Sequence, residues 1–254
     1  QTIATEASPS QKAFVSFLSE VSEKISTGDV SAEVYNMLCV TTDGRLGAMD
    51  MRAVNIDKLK RLGEKLGLDT SGITAERNPN GKLAACAEKT AEIYHRTTDT
   101  KGTQMIFSDI ATPTTTGKFN AYDELRRELI PLAVAEFERY MKAGSEDGVV
   151  CLYGMRYIAF AKEEPYLFRF LFMRSNAFSE IKQALLAMIE RSIEKLMASY
   201  PIGHEEADIL HDQLWMHAHG IASMIATDFC DWDMDKVEWM LAECKCAFTR
   251  KYEA

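Results

Sequence analysis

The sequence lacks any apolar run long enough to cross a membrane. The longest candidates, residues 149–160 and 221–226, are interrupted or fall short of the roughly 20 residues that a transmembrane helix needs. The first ten residues are polar and contain no basic flank followed by an apolar run, which argues against a secretory signal. We therefore expect a soluble, cytoplasmic protein with no membrane partner, and we interpret residues 1–10 as a flexible leader.

The sequence also lacks the patterns of several enzyme classes. Its six cysteines include no C-x-x-C pair, so we expect reduced thiols in a cytosolic protein. No G-x-x-x-x-G-K-[ST] loop is present to bind nucleotide phosphates. No serine or cysteine stands in a recognisable nucleophile arrangement with histidine. These absences predict a protein that is not an enzyme and that needs no cofactor.

Charge is distributed unevenly along the chain. The formal net charge is −9, of which residues 1–120 contribute −1 and residues 121–254 contribute −8. Affinity for nucleic acid depends on clustered positive charge, so the acidic second half is poorly suited to grip a phosphate backbone. A small molecule or another protein is the expected partner of that half.

The first half mixes helical and extended patterns. Apolar residues at helical spacing predict a helix over residues 11–25, with Ser8 or Ser10 as its cap. The short, partly β-branched run over residues 37–42 predicts a strand or extended segment, which the turn signal Asp43-Gly44 ends. The elements predicted after it are a loop over 69–81, a helix over 82–96, a buried strand over 103–108 and a loop over 111–118.

The second half is predicted to be helical throughout. Residues 122–142 predict one long helix that Pro131 kinks or splits, and residues 149–162 are apolar around most of their circumference, which predicts a buried central helix. A break is predicted over 144–148, and further helices over 166–173, 179–200, 204–227 and 233–252. The whole chain is therefore predicted to be mainly α, with a small α+β fragment over residues 11–120 and an all-α domain over residues 121–254.

Two sequence motifs in the second half occur in the same order as in one known protein family. Residues 214–220 contain W-x-x-x-H-G, formed by Trp215, His219 and Gly220, and residues 157–172 read Y-I-A-F-A-K-E-E-P-Y-L-F-R-F-L-F. In both motifs residues 122–254 resemble the C-terminal domain of TetR-family transcriptional regulators, of the subtype with a Trp-His-Gly signature. The resemblance implies a helical bundle that forms a homodimer through residues 205–252 and binds a small apolar ligand.

We expect the ligand pocket to be lined by Met and aromatic side chains of this bundle. The candidate pocket residues are Tyr157, Phe160, Phe172, Trp215, His219 and Met224. TetR-type proteins begin with a helix-turn-helix, and residues 80–120 show instead a helix, a strand and a Thr-rich loop. DNA binding by the repressor route is therefore not predicted.

The first half resembles another protein class. Residues 36–52 are close to the N-M-L-x-x-T-T-D-G-R pattern of helicase-methylase proteins of phages and plasmids, and residues 101–109 are similar to the strand that opens their second motor lobe. The resemblance leads to an alternative: a helicase-derived fragment that contacts nucleic acid or a motor partner without ATPase activity of its own. The cations that would contact phosphates are Arg45, Arg52, Lys58, Lys60 and Arg61. A third alternative is a mosaic with no joint function.

The histidines of the second half do not predict a metal site. His211 and His219 lie eight residues apart, which is about 12 Å along a helix, so they cannot share one ion. Packing and hydrogen bonding where helices cross is the simpler interpretation, and Gly220 would then mark a close approach of another helix.

Overall fold

The computed structural model describes residues 2–100, 102–114, 118–142, 150–175 and 177–252. Within these ranges the chain forms ten α-helices and no strand, so the fold is mainly α. The helices are α1 Pro9–Ser26, α2 Met37–Met49, α3 Ile56–Leu66, α4 Lys82–Arg96, α5 Ala121–Lys142, α6 Val150–Glu163, α7 Pro165–Phe172, α8 Ala177–Ser199, α9 His204–Ala226 and α10 Met234–Thr249. None of these helices combines the length and apolar character needed to cross a bilayer.

The chain divides into two compact units, residues 1–129 and residues 130–254, with the division inside α5. We call them the first unit and the second unit. Each contains its own hydrophobic core. The helix α5 includes Pro131 and continues unbroken to Lys142, so proline does not split it. The predicted break over 144–148 and part of the predicted loop over 111–118 lie outside the described residues.

Helix α1 begins where the side chains of Ser8 and Gln11 cap its first turn. The Ser8 side chain accepts from the Gln11 backbone N–H while the Gln11 side chain accepts from the Ser8 backbone, which forms a capping box. The helix then buries Phe14, Phe17 and Val21 in the core of the first unit. Ser8 is therefore the cap, and the helix predicted over residues 11–25 is confirmed.

The strand predicted over residues 37–42 is wrong, because these residues form the start of α2. Asn36 caps the helix by accepting from the Cys39 N–H. Asp43, predicted to lie in a turn, lies inside the helix and is buried, and its carboxylate accepts from the Tyr35 hydroxyl at 2.5 Å and from Lys58 at 3.2 Å. A short apolar run fits a strand and a packed helix equally well, and here these tertiary partners favour the helix.

The buried strand predicted over residues 103–108 is also wrong. Residues 102–108 contain no helix or strand, and the side chains of Met105 and Phe107 are 76% and 84% exposed. A strand requires a hydrogen-bonded neighbour, and the described residues form no sheet for this segment to join. The α+β character predicted for residues 11–120 is thus absent from the described part of the chain.

In the second unit α9 is the central helix. It packs against α6, α7, α8 and α10, and it contributes the buried residues Ala218, Ile221, Ala222 and Ile225 to the main core. Pro165 opens α7 at its first position, where a missing N–H costs nothing, and α8 ends at Ser199, just before Pro201. The helices predicted over 149–162, 166–173, 179–200, 204–227 and 233–252 are confirmed to within three residues at each end, the last with Arg250–Tyr252 as a short 3-10 turn.

Candidate functional site

The second unit contains a cavity of about 310 Å³, partly open to solvent, between α5, α6, α7, α8, α9 and α10. This volume lies at the lower end of the roughly 300–1,000 Å³ that is usual for small-molecule sites. All of its lining residues belong to residues 130–254. Protein interiors are otherwise close-packed, so an apolar space of this size is the strongest candidate for a binding site in this unit.

Aromatic rings form much of the cavity wall. Phe137 of α5, Tyr153 and Tyr157 of α6, Phe172 of α7 and Trp215 of α9 all line it. Phe137, Tyr157 and Phe172 pack against one another edge to face, with ring centroids 5.2–5.9 Å apart. Rings held in this way are rigid, and they present flat apolar surface to a bound molecule.

The rest of the apolar lining is aliphatic or contains methionine. It includes Met141, Leu185, Met188, Ile189, Leu196 and Leu241. Methionine adapts its shape at little cost, so this part of the lining can accommodate ligands of different outline.

The W-x-x-x-H-G motif joins α9 to α6 through a hydrogen-bonded chain at the cavity wall. Trp215 and His219 lie one turn apart, and their rings stack with centroids 5.1 Å apart. The Tyr157 hydroxyl lies 2.8 Å from Nδ1 of His219 and also hydrogen-bonds Trp215. An indole N–H can only donate, so Tyr157 accepts from Trp215. The direction of the bond between the Tyr157 hydroxyl and Nδ1 of His219 follows from the tautomer of the imidazole.

Burial acts on both titratable members of this chain. It raises the pKa of Tyr157 and lowers the pKa of His219, because each charged form would lose its hydration. Burial thus favours the neutral form of His219.

A small set of polar side chains completes the cavity lining. Ser192, His211, Asp212, His217 and Lys245 belong to this set. Nδ1 of His211 lies 3.5 Å from the Asp212 carboxylate. Nε2 of His217 is buried and makes no hydrogen bond within the described part of the chain. The Lys195 ammonium, close by, donates to the Tyr153 hydroxyl at 2.9 Å and lies over its ring.

Three of the six predicted pocket residues line the cavity. Tyr157, Phe172 and Trp215 line the cavity, and His219 lies behind two of them as their hydrogen-bonding or stacking partner. Phe160 is fully buried in the core, where its ring packs on Phe137. Met224 is 36% exposed near the end of α9 and does not line the cavity.

Several lining residues were not predicted from the sequence. Phe137 and Met141 lie one turn apart on α5, and this spacing on a helix predicted to face the bundle is a signal that could have identified them. His217 and Lys245 carry no such signal. A polar residue on an amphipathic helix is expected at the surface unless the packing of neighbouring helices is known.

The five cations predicted for nucleic-acid contact do not form one free surface. Arg45 pairs with Asp109 at 2.6 Å, Lys58 pairs with buried Asp43, and Arg52 pairs with Asp50 and Glu124 at 2.8 Å each. Lys60 and Arg61 are exposed on α3. Three of the five side chains therefore neutralise carboxylates of the first unit.

Comparisons of the chain with protein families, with curated proteins and with solved structures find no match.

Proposed function

We propose that the second unit is a ligand-sensing and dimerising domain like that of TetR-family transcriptional regulators, and that it binds a small, largely apolar molecule. The cavity of about 310 Å³ is the observation that carries the proposal. It lies among the middle helices of a bundle and has a rigid aromatic wall with few polar groups, which are the usual features of a small-molecule site. The Trp-His-Gly motif supports the same proposal, because its Trp215 and His219 hold the wall-forming Tyr157 in place.

The ligand part of the proposal is tested by filling the cavity. Ser192 lines the cavity, and Ser199 lies exposed two turns further along the same helix. We expect Ser192→Phe to abolish binding of naphthalene, measured by equilibrium dialysis, and Ser199→Phe to leave binding unchanged. Thermal unfolding of both variants shows that each is folded. Equal naphthalene binding by Ser192→Phe and the unsubstituted chain would refute the cavity as the binding site.

The dimer part of the proposal concerns the exposed face of α9. Ile209, Met216 and Met224 are 50%, 58% and 36% exposed and recur at a spacing that places them on one side of the helix. Gly220 lies between them, and a Cβ atom added there would meet nothing within 4 Å. An apolar stripe around a glycine allows a helix of a second copy to approach closely, and two-fold symmetry would place identical stripes against each other. On α10, Trp239 is also exposed, at 62%.

Light scattering coupled to size-exclusion chromatography tests this interface. We expect the chain to elute as a dimer and Met216→Glu to elute as a monomer, because a charge would be buried without a partner at the proposed contact. Met197→Glu on α8 is the matched control, since Met197 is 40% exposed and lies outside residues 205–252. A monomeric unsubstituted chain would refute dimerisation, and a dimeric Met216→Glu would refute this contact.

Nucleic-acid contact by residues 11–120 ranks second as a function. Specific or non-specific binding requires cations that are free to neutralise phosphates. Arg52 is instead largely buried against two carboxylates, and Lys58 lies over the ring of Tyr35 and pairs with Asp43.

A further inference from the structure

The cavity of the second unit is partly open to solvent, and the exposure of its lining residues shows where the opening lies. Most of these residues are buried or half-buried. Among the lining residues that the structure describes, only Asp212 and Met216 are exposed, the Asp212 side chain at 66% and Met216 at 58%. They lie one turn apart on α9, so the opening of the cavity lies beside this turn.

The same turn belongs to the face of α9 that we propose as the dimer contact. Residues at spacings of three and four share one side of a helix. On α9 this spacing joins Ile209, Gln213, Met216, Gly220 and Met224. Asp212 lies at the edge of this face, where its carboxylate can stay hydrated. Met216 therefore lies both at the opening of the cavity and in the proposed contact.

This face of α9 is complementary to itself. In an antiparallel pairing of α9 with α9 of a second copy, centred between residues 216 and 217, each residue lies against the one equally far from the centre. Ile209 then lies against Met224 of the partner subunit. Gln213 lies against Gly220 of the partner subunit, where an added Cβ atom would meet nothing within 4 Å of its own chain, so the long side chain has room. Apolar against apolar and long against short favour a second copy as the occupant of the face.

On the basis of the proposed function, we infer that the second copy completes the binding site by covering the opening of the cavity beside Met216, so that ligand binding and dimerisation strengthen each other. An apolar molecule in the open cavity leaves part of its surface in contact with water. The α9 helix of a second copy removes that surface from water, which favours the bound state. Because coupling between two binding equilibria is reciprocal, a ligand that binds the dimer more tightly than the monomer also stabilises the dimer.

Sedimentation velocity over a series of protein concentrations, with and without saturating naphthalene, tests the inference on the full chain. We expect each site of the dimer to bind naphthalene roughly tenfold tighter than the monomer does, which lies within the usual range of coupling between sites. A dimer has two such sites, so saturation should lower the dissociation constant of the dimer by about a hundredfold. In Ser192→Phe, whose cavity is filled, naphthalene should leave this constant unchanged.

A second variant separates the dimer contact from the cavity. Ile209 is 50% exposed on the proposed face and does not line the cavity. We expect Ile209→Glu to be a monomer and to bind naphthalene roughly tenfold more weakly than the unsubstituted dimer in equilibrium dialysis, since its cavity stays open. Met197→Glu on α8 is the matched control, because Met197 is 40% exposed and lies outside both the lining and the proposed contact. It should keep the dimer and the affinity.

The outcomes separate this inference from the proposed function. If naphthalene binds but leaves the dissociation constant of the dimer unchanged or raises it, the inference is overturned and the proposed function stands. Equal naphthalene affinity in monomeric Ile209→Glu and in the unsubstituted dimer overturns it in the same way. A chain that binds naphthalene but stays monomeric, or a dimer that does not bind it, overturns one part of the proposed function together with the inference. If Ile209→Glu does not fold, the dissociation constant of the unsubstituted dimer with and without naphthalene still decides the matter.

Discussion

In the first unit the large buried side chains of Phe14, Phe17 and Tyr35 fill the core, whereas in the second unit the rings of Tyr157 and Phe172 surround a cavity of about 310 Å³. The polar groups differ in the same way. Asp43 and Glu124 of the first unit are buried with cationic partners, while Nε2 of His217 in the second unit is buried and unpaired in the described part of the chain. The first unit uses these polar groups to fix its own structure, whereas the second unit contains the cavity that we propose as a ligand site.

The largest effect expected from this contrast follows removal of Arg52. Its guanidinium pairs with Asp50 and Glu124, whose side chains are 6% and 4% exposed. Arg52→Leu takes from buried Asp50 the cation with which it pairs, whereas Glu124 keeps Arg77 at 3.3 Å and Arg127 at 3.4 Å. We expect the free energy of unfolding to fall by about 3 kcal/mol. Urea unfolding followed by far-UV circular dichroism measures the change.

Arg45→Leu is the matched control. The Arg45–Asp109 pair is short, at 2.6 Å, but its side chains are 53% and 79% exposed, so its loss should cost far less than the loss of Arg52. If the free energy of unfolding falls by a similarly small amount in Arg52→Leu and Arg45→Leu, burial does not make the Arg52 ion pairs stabilising. The contrast between the two units would then weaken.

Two glycines inside helices provide the next comparison. A Cβ atom on Gly47 of α2 would lie 2.7 Å from Cδ1 of buried Phe14, whereas one on Gly220 of α9 would meet nothing within 4 Å. We expect Gly47→Ala to lower the free energy of unfolding by about 2 kcal/mol, because the clash exceeds the gain in helix propensity.

Gly220→Ala should instead raise the free energy of unfolding by up to about 1 kcal/mol, the usual gain in helix propensity. The urea unfolding of Gly47→Ala and of Gly220→Ala is measured in chains that also contain Met216→Glu. This third substitution removes the proposed contact between copies, so that contact does not affect the stability measured for Gly220→Ala. A loss of stability in Gly220→Ala would show that this position is packed within the protomer and would remove one argument for the dimer face.

The comparison also shows what the sequence could predict. The helices of the second unit follow from apolar residues at a period of 3.6 and from stops such as Pro201 and Gly203, which are local signals. The helix over residues 37–49 was not predicted, because its short β-branched run is ambiguous and the partners of Asp43 lie at Tyr35 and Lys58.

The candidate site was predictable only in part, for the same reason. Tyr157, Phe172 and Trp215 belong to motifs that can be read along the chain, and they line the cavity. His217 belongs to the same motif-bearing helix, but its unpaired nitrogen depends on how neighbouring helices pack around it. Met224 continues the apolar pattern of α9 and is nevertheless 36% exposed.

A smaller effect is expected from pH, and it should arise in the second unit. Four of the five histidines lie there, and burial lowers the pKa of His219 in the folded chain below its usual value of about 6.5. Above that pH both the folded and the unfolded states are neutral at His219. Below it the unfolded state takes up the proton first, so stability present above about pH 6.5 is lost as the pH falls.

Urea unfolding followed by tryptophan fluorescence at about pH 7.5 and about pH 5.5 measures this loss, since all three tryptophans lie in the second unit. One histidine contributes at most about 1.4 kcal/mol per pH unit. The difference between the unsubstituted chain and His219→Phe should shrink toward the lower pH, because the variant lacks the buried imidazole. A difference that does not change with pH would mean that burial does not lower the pKa of His219.

The smallest effect is expected at Phe107, whose segment was predicted to be a buried strand. Its side chain is 84% exposed, so Phe107→Ser removes almost no packing, and we expect the free energy of unfolding to change by less than about 0.5 kcal/mol. Phe17→Ser, at a position 2% exposed in the core of the same unit, should lower it by more than about 3 kcal/mol. Urea unfolding of the two variants gives both values. A loss above about 1 kcal/mol in Phe107→Ser would show that residues 103–108 do pack against the chain, because removal of a largely solvated ring cannot cost that much.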